Sequence, residues 1–250
     1  MIEIEAHDDV TLLRLAHGKA SAMDLELCGA LDDALASFTS SPAKALVITG
    51  TGSIFSAGVD LVRVTKEGAD YVRQFLPAFE RAMLRLFRIE RPVVCAINGH
   101  AIAGGCVLAA AGDRRYLAAG RAKLGVPELL VGVPFPGIAL ELMRGVLDPA
   151  RFQEAVYTGR SYSAEEARTL GLVDELVEPE ALIERALESA RSLAALPARS
   201  FQVTKRMVRR PLTQLLDDHE SEVGDEMLAT WCDDEVLATI AAYVEKTLKK

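Results

Sequence analysis

Cysteine and histidine are scarce in this chain, four of each in 250 residues. Cys28, Cys95, Cys106 and Cys232 lie far apart in apolar surroundings and form no C-x-x-C pair. That removes the spacing of a zinc site or a redox dithiol and leaves reduced, buried thiols in a reducing compartment. Cys106 has no neighbouring cation in the sequence to lower its pKa, so it reads as packing rather than as a nucleophile. His7, His17, His100 and His219 are scattered and H-E-x-x-H is missing, so no metal is expected. Positive charge is in deficit, with 28 Lys and Arg against 36 Asp and Glu and a net charge of −8. This balance excludes nucleic acid as a default partner. The most basic run, Lys205-Arg206 with Arg209-Arg210, reads as a solvated or phosphate-facing helix edge, since few aromatics accompany it. No stretch approaches the ~18 uninterrupted apolar residues of a membrane span, and no signal-peptide pattern opens the chain. A cytoplasmic protein with no membrane partner is expected.

Half of the residues are hydrophobic, and the chain is long enough to bury a substantial core. Ile2 and Ile4 alternate with Glu3 and Glu5, and Val10 to Leu15 returns after the turn at His7-Asp8-Asp9, which predicts a hairpin. Leu25, Leu27, Leu31, Leu35 and Phe38 mark an amphipathic helix. Buried strands are expected at 45–48, 92–97 and 115–118, with a long helix from Lys66 to Glu90 and a short one from Gly104 to Ala111. Helix starts are expected at Pro149 and around Ser161 to Ala164, and a short strand within Leu172 to Val177. Strands alternating with helices imply crossover connections and a largely parallel sheet. The chain is read as an α/β core over 1–195 followed by a helical segment over 196–250. Asp217, Asp218, Glu220, Glu222, Asp225 and Glu226 are expected to form a solvated acidic face.

Several familiar sites are missing. Gly50-Thr51-Gly52-Ser53-Ile54-Phe55 puts Phe55 where a dinucleotide fingerprint needs glycine, and it lacks the Gly-Lys-Ser/Thr of a phosphate loop. Gly159-Arg160-Ser161-Tyr162-Ser163 departs from a nucleophile elbow at its last residue. Two glycine turns remain, Phe55-Ser56-Ala57-Gly58-Val59-Asp60-Leu61 and Asn98-Gly99-His100-Ala101 with Gly104-Gly105-Cys106, each expected to follow a strand. Backbone N–H groups at two such turns can meet one developing negative charge, because small residues admit a carbonyl closely. A lone acid, Glu128 in Gly125-Val126-Pro127-Glu128, supplies a candidate base.

The order and spacing of these segments resemble the crotonase superfamily, the enoyl-CoA hydratase/isomerase family. Arg91-Pro92-Val93, Asp113, Leu170-Gly171-Leu172-Val173 and the closing Tyr243-Val244-Glu245-Lys246 extend the likeness over nearly the whole chain. The resemblance implies a ββα spiral core with a C-terminal helical trimerisation segment, a homotrimer or a dimer of trimers, and an acyl-CoA thioester as substrate. Coenzyme A is then part of the substrate and no separate cofactor is implied. The enolate-holding donors of the family fall on the N–H groups of Val59 and Gly104, and the catalytic acid on Glu128. Ala57, Gly58, Asp60, Leu61, Gly105, Val107 and Phe135 become substrate-binding candidates, with Val107 and Phe135 lining the acyl pocket. Lys19 is a candidate near the CoA phosphates. Tyr243 and Lys246 match an aromatic and a lysine that approach the nucleotide portion, often from a neighbouring subunit.

Family hydratases use two glutamates to activate water, and here the first falls on Val107. A valine can neither take a proton nor position water. The single acid therefore implies Δ3,Δ2-enoyl-CoA isomerisation, with Glu128 moving a proton from C2 to C4. Hydration or another crotonase-type reaction is the first alternative, and a non-catalytic acyl-CoA-binding protein the second. Val133-Pro134-Phe135-Pro136-Gly137-Ile138 lacks the double glycine common in the family at this place, which alters the acyl pocket.

Overall fold

A computed structural model describes residues 1–219 and 223–247. Glu220 and Glu222 of the expected acidic face, and the side chains of Asp218 and His219, lie outside the described residues. The first half of the chain contains β1 (Ile2–His7), β2 (Val10–Leu15), α1 (Leu25–Ser40), β3 (Ala45–Thr49), β4 (Ile54–Ser56), α2 (Leu61–Arg88), β5 (Val93–Ile97), β6 (His100–Ile102) and α3 (Gly104–Ala110). It continues through β7 (Arg114–Ala118), β8 (Lys123–Gly125), α4 (Glu128–Val131), α5 (Gly137–Val146), α6 (Phe152–Thr158), β9 (Ser161–Ser163), α7 (Ala164–Thr169) and β10 (Glu175–Val177). Four helices follow: α8 (Leu182–Ala194), α9 (Ala198–His219), α10 (Val223–Trp231) and α11 (Asp234–Thr247).

The predicted hairpin forms, with Ile2 opposite Leu15 and His7 opposite Val10. From β2 onward the main sheet is parallel, in the order β1-β2-β3-β5-β7-β10. Every residue of β3 and β5 is buried, as expected of central parallel strands covered on both faces. Alternation divides their side chains. Val47, Val94, Ala96 and Tyr116 meet Ala186 and Ala190 of α8. Leu46, Ile48, Val93 and Cys95 point into the larger core with α1 and α2.

Each of β3, β5 and β7 is followed by a short strand and then a helix, so the ββα unit recurs three times. The short strands build a second sheet, β4-β6-β8-β9. Three residues are too few for a hydrophobic period, and this sheet has no signature in the sequence. Ser161–Ser163 is its last strand rather than a helix start, and Ser163 then caps α7 through a capping box with Glu166. Two helix boundaries also move. α2 begins at Leu61, because the Asp60 carboxylate accepts the Arg63 N–H at 3.0 Å, and a non-helical Gly68 (φ 69°, ψ −155°) separates that start from the long periodic stretch. α6 begins at Phe152, three residues beyond Pro149.

The basic run on α9 is not a solvated edge. Residues four apart share a helix face, so Lys205 and Arg209 turn inward together while Arg206 and Arg210 stay exposed. Lys205 Nζ donates to Asp113 at 2.6 Å and to the Arg91 carbonyl at 2.8 Å, and Arg209 donates to the other Asp113 oxygen at 2.8 Å. Asp113 also accepts the Val93 N–H at 2.8 Å, tying α9 to the start of β5. Burial pushes the Lys205 ammonium down to about 8. No helix among the described residues is long and apolar enough to cross a membrane.

Removing one side of a buried ion cluster strands the other. Asp113→Asn is expected to lower stability by ~3–5 kcal/mol, read from the urea midpoint at unchanged slope. Arg206→Ala, which removes an exposed pair with Glu90, is expected to cost no more than ~1 kcal/mol.

Candidate active site

β4, β6 and β8 run parallel and end side by side. Three loops therefore leave one edge together: Ala57-Gly58-Val59 after β4, Ala103-Gly104 after β6, and Val126-Pro127-Glu128 after β8. Their packing is closer than side chains allow. A Cβ at Gly58 would stand 2.5 Å from the Ile102 carbonyl and 2.9 Å from the Gly104 nitrogen, and the residue has φ +79°. Both requirements select glycine. A Cβ at Gly105 would come within 2.3 Å of the Ser56 carbonyl, so α3 seats directly on the end of β4. Ala103, just before α3, has φ 49° and ψ −123°. A conformation so sparsely populated costs ~1–3 kcal/mol and persists only where its surroundings fix it. Here the Ala103 N–H donates to the Gly125 carbonyl at 2.8 Å.

The hydrogen bonding leaves two donors over. Met23 N–H donates to Gly58 O and Asp60 N–H to Met23 O, a parallel bridge that uses the residues on either side of Val59. The Val59 N–H takes no part in it. Gly104 opens α3, so its N–H has no acceptor within the helix. Neither N–H meets a protein acceptor among the described residues.

Both residues line a cavity of about 280 Å³, together with Ala57, Asp60, Leu61, Val107, Glu128 and Tyr243. The sequence thus brings together eight of its candidates. Gly58 and Gly105 shape the turns beneath. Three candidates fall elsewhere. Phe135 lines a neighbouring cavity, while Val133 and Pro136 on either side of it line this one. Lys19 and Lys246 are exposed and do not line the site cavity. Tyr243 and Trp231 line the cavity, so α10 and α11 cover the site within the chain. Trp231, the one tryptophan, was not singled out from the sequence, nor were Leu76 and Phe79, which share the wall through the inward face of α2.

Glu128 is the buried acid of this wall. It is 7 % exposed, and its Oε2 is buried with no hydrogen-bond partner among the described residues. Burial raises its carboxyl to about 7, opposed only in part by its own backbone N–H at the start of α4. Asp60 is the other carboxylate on the wall, and one of its oxygens caps α2. Val107 is fully buried beside these groups. The Cys106 thiol is pushed up to about 12 by burial, so it stays protonated and is no nucleophile.

Known proteins resemble this chain in sequence and in fold. The family model described as enoyl-CoA hydratase/isomerase matches residues 5–250. The chain belongs to the enoyl-CoA hydratase/isomerase family. It is 31% identical to a Rhizobium meliloti protein named probable enoyl-CoA hydratase over 245 residues, covering 96% of this chain and 94% of that one. It is 36% identical over 200 residues to a carnitinyl-CoA dehydratase of Salmonella arizonae, covering 79% of this chain and 76% of the relative. Among solved structures, a probable enoyl-CoA hydratase from Mycobacterium tuberculosis superposes with a TM-score of 0.82 at 28% identity, over 99% of this chain and 98% of that one. Human mitochondrial Δ3-Δ2-enoyl-CoA isomerase gives 0.94 at 22% identity, over 99% and 98% of the two chains, a likeness of fold. These neighbours confirm the crotonase fold, its parallel sheets and its C-terminal helices.

Within this family member the raised carboxyl carries a stability signature. Glu128 binds its proton more tightly folded than unfolded, so its contribution is complete below the unfolded value of 4.5 and is lost as pH rises through about 7. Glu128→Gln, which cannot ionise, is expected to be more stable than the parent at pH 8 by roughly 3 kcal/mol. That advantage should vanish near pH 4, as urea unfolding at the two pH values will show.

Proposed function

We propose that this protein isomerises 3-enoyl-CoA thioesters to 2-enoyl-CoA thioesters, with Glu128 as the single acid and base. The observation that carries this reading is the unpartnered Glu128 carboxyl in an apolar cavity, with Val107 where the resemblance puts a second glutamate. Ionised Glu128 takes a proton from C2. The electron pair moves toward the thioester oxygen, which the free N–H groups of Val59 and Gly104 receive. The new carboxylic acid then returns its proton to C4, and the double bond stands between C2 and C3. No water is consumed and none is released.

The energetics support the assignment. A thioester oxygen gains charge only as the proton leaves, so prealigned amides act mainly on the transition state, each worth about 3–4 kcal/mol. A carboxyl that titrates near neutrality is suited both to take and to return a proton. Coenzyme A arrives with the substrate, so no separate cofactor enters the reaction.

A second reading rests on the relatives, which are named hydratase and dehydratase. It would require Asp60, or a group not on this wall, to help position water. Crotonyl-CoA separates the two: rapid hydration by the wild-type protein would favour the second reading.

Glu128→Gln is expected to lower kcat on 3-hexenoyl-CoA by ~10²–10⁴-fold, and wild-type turnover in this variant would refute the mechanism. In the parent, kcat/KM should rise with pH to a plateau above about 7, the range set by the buried carboxyl. Gly58→Ala is expected to lower kcat by ~10²-fold, since a Cβ there pushes against the Gly104 nitrogen. Stopped-flow absorbance of the conjugated product measures all three.

A further inference from the structure

A second apolar cavity, of about 260 Å³, adjoins the first. Leu76 lines both. So does the segment 133–140, residue by residue: Val133, Pro136 and Ala139 face the Glu128 cavity, while Phe135, Ile138 and Leu140 face the other. Leu76 and this segment therefore stand between the cavities, with α10 beside them, Trp231 on the first and Leu228 on the second. The segment is held from behind, because Trp231 Nε1 donates to the Pro134 carbonyl at 2.9 Å. Pro134 and Pro136 fix its backbone further.

The first cavity must hold a thioester, the reacting carbons and part of the acyl tail. An apolar space of ~150 Å³ takes up a six-carbon ring, so about 280 Å³ is filled by a tail of modest length. Further methylenes need new apolar volume. The adjoining space supplies it, lined among the described residues by Phe135, Ile138, Leu216, Met227 and Leu228. That lining suits an uncharged aliphatic end.

We infer that Leu76 is the residue that sets acyl-chain length, closing the Glu128 cavity against a second chamber that takes the distal methylenes of a longer, unsubstituted acyl tail once Leu76 is shortened. The inference rests on the proposed acyl-CoA reading and adds the substrate's length class: chains that end before the partition are preferred by the wild-type protein.

Binding tests it without relying on turnover. Calorimetry with saturated butanoyl-, octanoyl- and dodecanoyl-CoA is run on the wild type, Leu76→Val, Leu76→Ala, and Leu76→Ala combined with Met227→Trp. In the wild type, affinity is expected to rise from butanoyl to octanoyl and to fall at dodecanoyl. Leu76→Ala is expected to raise the dodecanoyl-to-butanoyl affinity ratio by at least tenfold, and Leu76→Val by two- to threefold. Filling the second chamber with Met227→Trp should return the ratio to the wild-type value. A ratio that stays within 1.5-fold of wild type in Leu76→Val, or in a folded Leu76→Ala, overturns the inference while leaving the functional reading intact. So does a gain that survives Met227→Trp. If the wild-type protein binds none of the three thioesters, the functional reading fails and takes the inference with it.

Discussion

Burying a carboxyl group without a hydrogen-bond partner costs free energy that the rest of the fold must offset. Glu128 is held in that condition by its neighbours. Pro127 precedes it at the entry to α4, and β8 is fixed on both sides, by β6 in parallel and β9 in antiparallel pairing. The Gly125 carbonyl accepts the Ala103 N–H, so the acid's loop and the strained residue before α3 constrain one another. Among the described residues no basic group settles Glu128 as a permanent anion, and burial dominates its proton affinity.

The same economy appears in the backbone. Three short parallel strands deliver three loops to one edge, and two of those loops touch where only a glycine fits. The helices that follow the core then close the cavity from outside. α9 is fastened by the Asp113, Lys205 and Arg209 cluster, and α10 and α11 place Trp231 and Tyr243 on the cavity wall. A polar clamp far from the chemistry thus fixes the helix that leads to the cover.

Much of this was legible in the chain, for identifiable reasons. The hairpin, β3, β5 and β7 carry unbroken or alternating apolar runs, and the glycine turns announce themselves because no other residue fits Gly58. Glu128 stood out as an acid in a loop bounded by glycine and proline. The second sheet was illegible because its strands have three residues each. Lys205 and Arg209 looked like surface charge because their partner, Asp113, lies more than ninety positions away. Phe135 lines the adjoining cavity, a placement that the sequence does not reveal because its neighbours Val133 and Pro136 line the first. Lys19 and Lys246 were carried over on family likeness alone, and the fold leaves both outside the cavity lining.

Trp231 gives the molecule a property of a different kind. It is the only indole in the chain, it is buried, and its ring stands on the cavity wall while its nitrogen is engaged with Pro134. Excited beyond the absorption of its tyrosines, the native protein therefore emits from one known place, on the wall of the Glu128 cavity. The protein carries its own optical reporter of occupancy, and a titration in a cuvette can follow filling of the cavity without a dye, a label or a chromogenic substrate.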